Sequence, residues 1–294
     1  MKELKSELTW SFSRSRLFEE CRRAYYYHYY ASWGGWSENS DEFVRKAYIL
    51  KNMRNINIWV GDVVHQIIKW IFESKNISCE EALKKSKQLL VRTWEQSRSK
   101  AWLKNPKNNL NLFEHYYNCE PERDTIAKQL KKVARSIRNV YESGLFEYFS
   151  SLPPQNILSI DTMDHFIFEG IKAFAVPDFA IKDRKYVLYD WKTGKKSDKD
   201  IRQLSCYVLY AVNKWSIDSQ DIQIVPVYIA QEKAGIDAFE NIDIDEVRSR
   251  IACSISEMKK VLIDIESNKA DIALCPKTDD SWRCVNCRFK EICR

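Results

Sequence analysis

The chain has 294 residues, 45% hydrophobic and 30% charged, with only seven glycines and seven prolines, a composition that supports a core and excludes disordered and collagen-like proteins. No apolar run approaches the roughly 20 residues of a membrane-spanning helix, and MKELKSELTW carries charges where a signal peptide is apolar, so a cytoplasmic protein without membrane contact is expected. The net charge of +6 is lopsided: 26 Lys and Arg face 18 Asp and Glu in residues 1–150, against 21 and 23 afterwards, so the basic half suits a polyanion.

Residues 1–150 read as mainly helical. The first helix is expected over about 13–30, capped by Ser13 or Ser15 and unbroken before Gly34-Gly35. Over 58–75, Val60, Val63, Val64, Ile67, Ile68 and Ile71 keep the 3.6-residue period and form one apolar stripe. A third helix is expected over about 80–102. A fourth, 124–149, sets Ile126, Leu130, Val133, Ile137 and Val140 on one side and Lys128, Lys131, Lys132, Arg135 and Arg138 on another, a face able to track a nucleic-acid backbone.

After Pro153-Pro154 the period shortens to strands over 156–168, 171–181 and 186–191, with turns at Glu169-Gly170 and Lys182-Asp183-Arg184, which together predict a meander. A helix at about 200–214, strands at 222–230 and 236–241, and a helix at 243–267 precede a Cys-rich tail. No repeat or low-complexity linker interrupts the chain. One α/β domain is therefore expected: a mainly helical region over residues 1–150 including an insertion at about 76–150, a sheet-containing core over 151–270, and a tail over 271–294. No glycine pair has the spacing of a phosphate-cradling loop, which argues against an ATP-driven motor or a Rossmann enzyme.

The segment AVPDFAIKDRKYVLYDWKTGKK carries the most chemistry. If 171–181 and 186–191 are antiparallel neighbours, Asp178 and Asp190 meet at one end of the sheet, and Lys192, two residues on, shares the face of Asp190. Two acids held close in a part-buried place repel and lose hydration unless a divalent cation relieves them, and oxygen ligands suit Mg²⁺ or Mn²⁺. Lys192 then stands where it stabilises charge growing in a transition state.

Pro177-Asp178 with Asp190-Trp191-Lys192 resembles the two acidic motifs of the PD-(D/E)XK nuclease superfamily, and DWKTG resembles the D-x-K-T-G form of RecB-type nucleases. The resemblance implies a restriction-endonuclease-like core, a mixed central sheet flanked by helices, and a metal-dependent phosphodiester hydrolase. It also implies His65, on the flank of the apolar stripe one turn after Gly61, as a further metal ligand, with the Trp191 carbonyl as another. Gln203 and Tyr207, four apart on one helix face, resemble the family's Q-x-x-x-Y motif that borders the nucleic acid. Exonuclease action on single-stranded DNA or DNA ends is implied, alongside a helicase or another recombination or CRISPR protein. The alternative is a catalytically silent subunit that binds nucleic acid with the same fold, which the intact Asp178, Asp190 and Lys192 argue against.

Nine cysteines without an export signal point to metal ligation rather than disulfides. Cys284, Cys287 and Cys293 need a fourth partner; spacing alone suggests zinc, with Cys275 close in sequence. The segment SFSRSRLFEECRRAYYYHYY, however, resembles the N-terminal S-x-S-x-L...C-P-R-x-x-Y stretch of iron–sulfur nucleases of the AddB and CRISPR-associated type, with Arg22 in place of the proline. That implies a [4Fe–4S] clasp on Cys21, Cys284, Cys287 and Cys293, holding the two chain ends together. Cys79, Cys119, Cys206 and Cys253 read as small core residues of helices.

Overall fold

A computed structural model describes residues 6–74 and 76–293. The chain begins with β1 (Thr9–Ser11), α1 (Phe12–Glu20) and α2 (Arg22–Tyr26), followed by a π-helical turn over Tyr27–Ala31. The one helix expected over 13–30 is thus broken at Cys21. That residue is extended (φ −166°, ψ 108°) and its Sγ accepts a hydrogen bond from the Ala24 N–H at 3.4 Å, so the thiol caps the second helix while its backbone ends the first.

Then follow α3 (Glu42–Lys51), α4 (Ile56–Ser74), α5 (Cys79–Arg98), α6 (Phe113–Tyr116), α7 (Arg123–Glu142) and α8 (Leu145–Ser151). The stripe of α4, from Val60 to Ile71, is fully buried, as its period requires. Ser78 and Glu81 form a capping box that opens α5. This helix ends sooner than expected, at Arg98, because Lys100 turns left-handed (φ 57°) into a separate turn at Ala101–Leu103. The helix expected over 124–149 is likewise two, since Gly144 takes φ 79°, a conformation glycine adopts without steric cost.

The second half holds β2 (Ile157–Ile160), β3 (His165–Phe168), β4 (Ile171–Phe174), β5 (Phe179–Lys182), β6 (Tyr186–Trp191), α9 (Asp198–Trp215), β7 (Ile222–Tyr228) and β8 (Gly235–Ile236). It closes with α10 (Ile244–Lys259), β9 (Leu262–Asp264), β10 (Lys269–Ala270) and α11 (Ser281–Val285). The main sheet has the order β2-β5-β6-β7-β8; β6 and β7 are parallel and the other pairs antiparallel. A separate sheet, β1-β4-β3, joins the N-terminus to the β3–β4 hairpin.

The meander is therefore corrected. The run 156–168 divides around Asp161 (φ 41°), and 171–181 divides around Pro177, which donates no hydrogen bond to a ladder, so each run feeds two sheets. The helix expected over 243–267 ends at Lys259, where a hairpin begins; the Asp264 carboxylate accepts the Glu266 and Ser267 N–H groups and makes its turn.

Helices cover both faces of the main sheet. Val187, Tyr189 and Trp191 of β6 pack with α4 and α7, while Leu188 packs with Leu204, Val208 and Ala211 of α9. Alternation then directs Asp190 toward α9. Mixed α/β architecture with helices flanking a mixed sheet is as expected. No helix among the described residues is long and apolar enough to cross a membrane.

Candidate active site and the cysteine cavity

β5 and β6 pair with Phe179 opposite Tyr189, so Asp178, one residue before β5, comes to lie beside the end of β6. The Trp191 N–H donates to Asp178 Oδ2 at 2.6 Å, and His65 of α4 reaches Asp178 Oδ1 with Nδ1 at 3.0 Å. Asp190, only 4% exposed, accepts from the Tyr207 hydroxyl on Oδ1 at 3.0 Å and from Lys192 Nζ on Oδ2 at 2.6 Å. Lys192 also donates to Gln203 Oε1 at 2.9 Å, and Gln203 Nε2 donates to the Tyr207 hydroxyl at 2.8 Å. The four residues form a closed ring, and each oxygen of the two carboxylates has its own donor.

Electrostatics follow from this crowding. Burial and then the charge of Asp178 push the Asp190 carboxyl up to about 6, against the pull of Lys192 and His65. Burial works to lower His65, yet the charge and hydrogen bond of Asp178, the charge of Asp190 and a backbone contact to Trp191 carry it up to about 9. Tyr207 is raised well above its ordinary value by burial and by Asp190 and Asp178, so it stays a neutral donor.

A cleft of about 770 Å³ opens over His65, Gln203 and Tyr207, walled by Ser11, Ser13 and Arg16 at the start of α1 and by Asp62 and Met163. Gly61 explains how α4 comes so near: a Cβ there would stand 3.2 Å from Thr193 Oγ1, tighter than a comfortable contact. Three contributors escaped the sequence reading. Asp200 lies 3.7 Å from Lys192; its capping box with Ser197 was legible, its proximity to the lysine was not. Arg16 and Asp62 reach the cleft only through the packing of α1 and α4, and no spacing in the sequence signals it.

The model of the PD-(D/E)XK nuclease superfamily matches residues 9–294, nearly the whole chain. The chain belongs to this superfamily. Its members are generally phosphodiester-cleaving nucleases that typically use Mg²⁺ or Mn²⁺. No curated protein matches the chain.

Among the described residues no three His, Cys, Asp or Glu side chains stand close enough to cage an ion unaided. A PD-(D/E)XK site does not demand such a cage. Mg²⁺ keeps several waters and takes one or two carboxylates besides substrate phosphates, a demand that Asp178 and Asp190 meet. Burial and then the repulsion from Asp178 raise Asp190, and that repulsion is what a divalent cation relieves.

The tail folds back on the N-terminus. Cys21, Cys284, Cys287 and Cys293 line one cavity of about 500 Å³, together with Lys277, Arg283, Arg288 and Lys290. Cys21, Cys287 and Cys293 pack against a small cluster of Ala24, Tyr27, Leu50, Met53 and Phe289. Tyr27 donates to the Ile292 carbonyl at 3.0 Å, and Arg288 donates to those of Lys51 and Met53. Cys275 does not line this cavity; it is buried in the neighbouring core, and the Arg23 Nε donates to its carbonyl at 2.7 Å. Of the four cysteines read as core residues only Cys206 is buried. Cys119 and Cys253 are exposed and Cys79 is half-buried; Cys119 lies in the loop after α6, not in a helix.

Proposed function

We propose that this chain is a Mg²⁺- or Mn²⁺-dependent DNA exonuclease acting on DNA ends in recombination, repair or CRISPR-type DNA processing, in a cytoplasmic setting. The observation that carries the reading is the closed ring Lys192–Gln203–Tyr207–Asp190 beside Asp178, of which Gln203 and Tyr207 line an open cleft together with His65. A silent binding module has no use for a half-buried lysine held on a buried acid, whose desolvation costs stability.

Asp178 and Asp190 would hold the metal, with His65 and the Trp191 carbonyl beside them. The bound ion supplies positive charge to the attacked phosphate and to the attacking water. Lys192 offers its ammonium to charge developing on the phosphate, and Gln203 fixes where that ammonium points. Tyr207 orients the Asp190 carboxylate by donating to it. Arg16 and Ser13 border the strand's path in the cleft.

What supports the iron–sulfur reading is that Cys21, Cys284, Cys287 and Cys293 line one basic hollow, which suits an anionic [4Fe–4S] group. The test of function is incubation with end-labelled single- and double-stranded DNA, linear and circular, with Mg²⁺, Mn²⁺ or EDTA. Metal-dependent shortening of linear DNA from its ends is expected. Hydrolysis that survives exhaustive chelation would sink the mechanism, and cutting of closed circles would sink the exonuclease assignment.

A further inference from the structure

α7 carries a row of cations that the chemistry above does not use. Lys128, Lys131, Arg135 and Arg138 recur at intervals of three and four residues, so they stand on one side of the helix, and all four are exposed. Lys132, grouped with them by sequence, leaves the row: it is half-buried, and burial lowers its pKa. Some surface cations of other helices have acidic partners one turn away, as Arg16 has Glu20, Lys69 has Glu73 and Arg250 has Glu246, whereas among the described residues the exposed cations of α5 do not. Among the described residues none of the four on α7 has an ion pair, although Asp124 and Glu142 of that helix stand one turn from Lys128 and Arg138; Lys131 and Arg135 have no acid of the helix one turn away. Like charges one turn apart repel, so the row weakens the helix unless something negative meets it.

Its position relates it to the site. Asn139, next to Arg138 and buried, donates its amide to the carbonyls of Ile229 at 2.8 Å and Gln231 at 2.9 Å. The Ile229 N–H donates in turn to the Lys192 carbonyl at 3.0 Å. Two hydrogen bonds thus link α7 to the backbone of the active-site lysine, at the same end of the sheet. Farther along, Gln129 donates to Asn57 Oδ1 at 2.8 Å, in the first turn of α4 and about two turns before His65. Beside the first anchor lies a groove of about 540 Å³, lined by Lys131, Arg135 and Arg138 and also by Glu142 and Glu232.

We infer that this groove is a track for the phosphate backbone of the DNA strand that enters or leaves the catalytic cleft. The inference rests on the nuclease reading and gives one face of the helical insertion, residues 76–150, its role. From Lys128 to Arg138 the row spans about 15 Å at ~1.5 Å per residue. Cations without partners are what such a track needs, because each phosphate they meet releases a condensed counterion, whereas a cation already paired gives up its partner first.

The test compares the full chain carrying Asp190→Asn, which keeps DNA intact, with the same chain carrying Lys131→Gln, Arg135→Gln and Arg138→Gln. Binding of a long labelled single strand is measured across a salt series. The triple variant should flatten the slope of log affinity against log salt by about 2, at ~0.7 per phosphate contact, and lose on the order of 100-fold affinity at low salt. Each single variant should lose about 0.7, which keeps the test readable if the triple variant folds poorly. Arg135→Lys should keep the slope, since a phosphate contact of this kind needs charge rather than a fork. If the unsubstituted chain binds no DNA at any salt, the nuclease reading and this inference fall together. If it binds with the same slope as the triple variant, this inference alone falls, and the row serves an acidic protein surface or solvent.

Discussion

The carboxylate site and the cysteine cavity are built in opposite ways. At the end of β6, Asp190, Trp191 and Lys192 arrive on three consecutive residues, and α4, α9 and the segment before β5 close around them with a donor for every carboxylate oxygen. The cavity instead joins residue 21 to residues 284–293, and its sulfurs make few bonds of their own: Cys21 Sγ accepts the Ala24 N–H and Cys287 Sγ the Phe289 N–H, both at 3.4 Å, and Cys284 Sγ donates to the Thr278 carbonyl at 3.8 Å. The first site is thus a finished object held by the fold. The second, under the proposed iron–sulfur reading, would depend on the group it holds. Losing the ligand should cost the first its rate and the second its structure.

The sharpest break of that contrast lies at the acids. Asp178→Asn and Asp190→Asn should each reduce hydrolysis by at least about 100-fold, because they remove the charge that holds the metal. The melting temperature should move by no more than about 4 °C, since the two carboxylates repel each other in the folded chain. Kinetics and thermal melts on the same samples check both halves, and a collapse in melting temperature would mean that the acids are structural.

A smaller effect separates the cysteines. If the cavity holds the proposed cluster, Cys21→Ser should lose iron and sulfide and lower the melting temperature, because it removes the one thiolate that the N-terminal segment offers. Cys275→Ala should keep the iron and cost only about 1 kcal/mol of core packing. Elemental analysis and melts on anaerobically purified protein decide it; zinc with sensitivity at Cys275 instead would transfer the clasp to the tail alone.

The smallest effect concerns acid. His28, beside Phe289 near the cysteine cavity, has a buried Nδ1 without a partner, and burial, reinforced by Arg288, Lys51, Arg54 and Arg14, holds its pKa well below the ordinary value. The unfolded chain takes up that proton first, so its contribution to stability is present above about pH 6.5 and is lost as pH falls, by at most about 1.4 kcal/mol per pH unit. His28→Gln should remove this component of the acid slope in denaturant titrations; an unchanged slope would show that other groups govern it.

What the sequence determined by itself was local. The stripe of α4 follows from a 3.6-residue period, and β6 from a short apolar run ending in an acid. The pairing of Asp190 with Lys192 follows from the two-residue repeat of a strand, and that of Gln203 with Tyr207 from a helical turn. These features need only a few neighbouring residues, so composition and spacing carry them. Tertiary structure decided the rest. Cys21 breaks a helix whose apolar and aromatic content reads as continuous, and the runs 156–168 and 171–181 each divide between two sheets. Asp200 and Arg16 reach the site, and α7 docks beside Lys192, through contacts between residues far apart in the chain. The physical reason is that local periodicity sets which face of an element is apolar, whereas the partner that buries that face is chosen by the packing of the whole core.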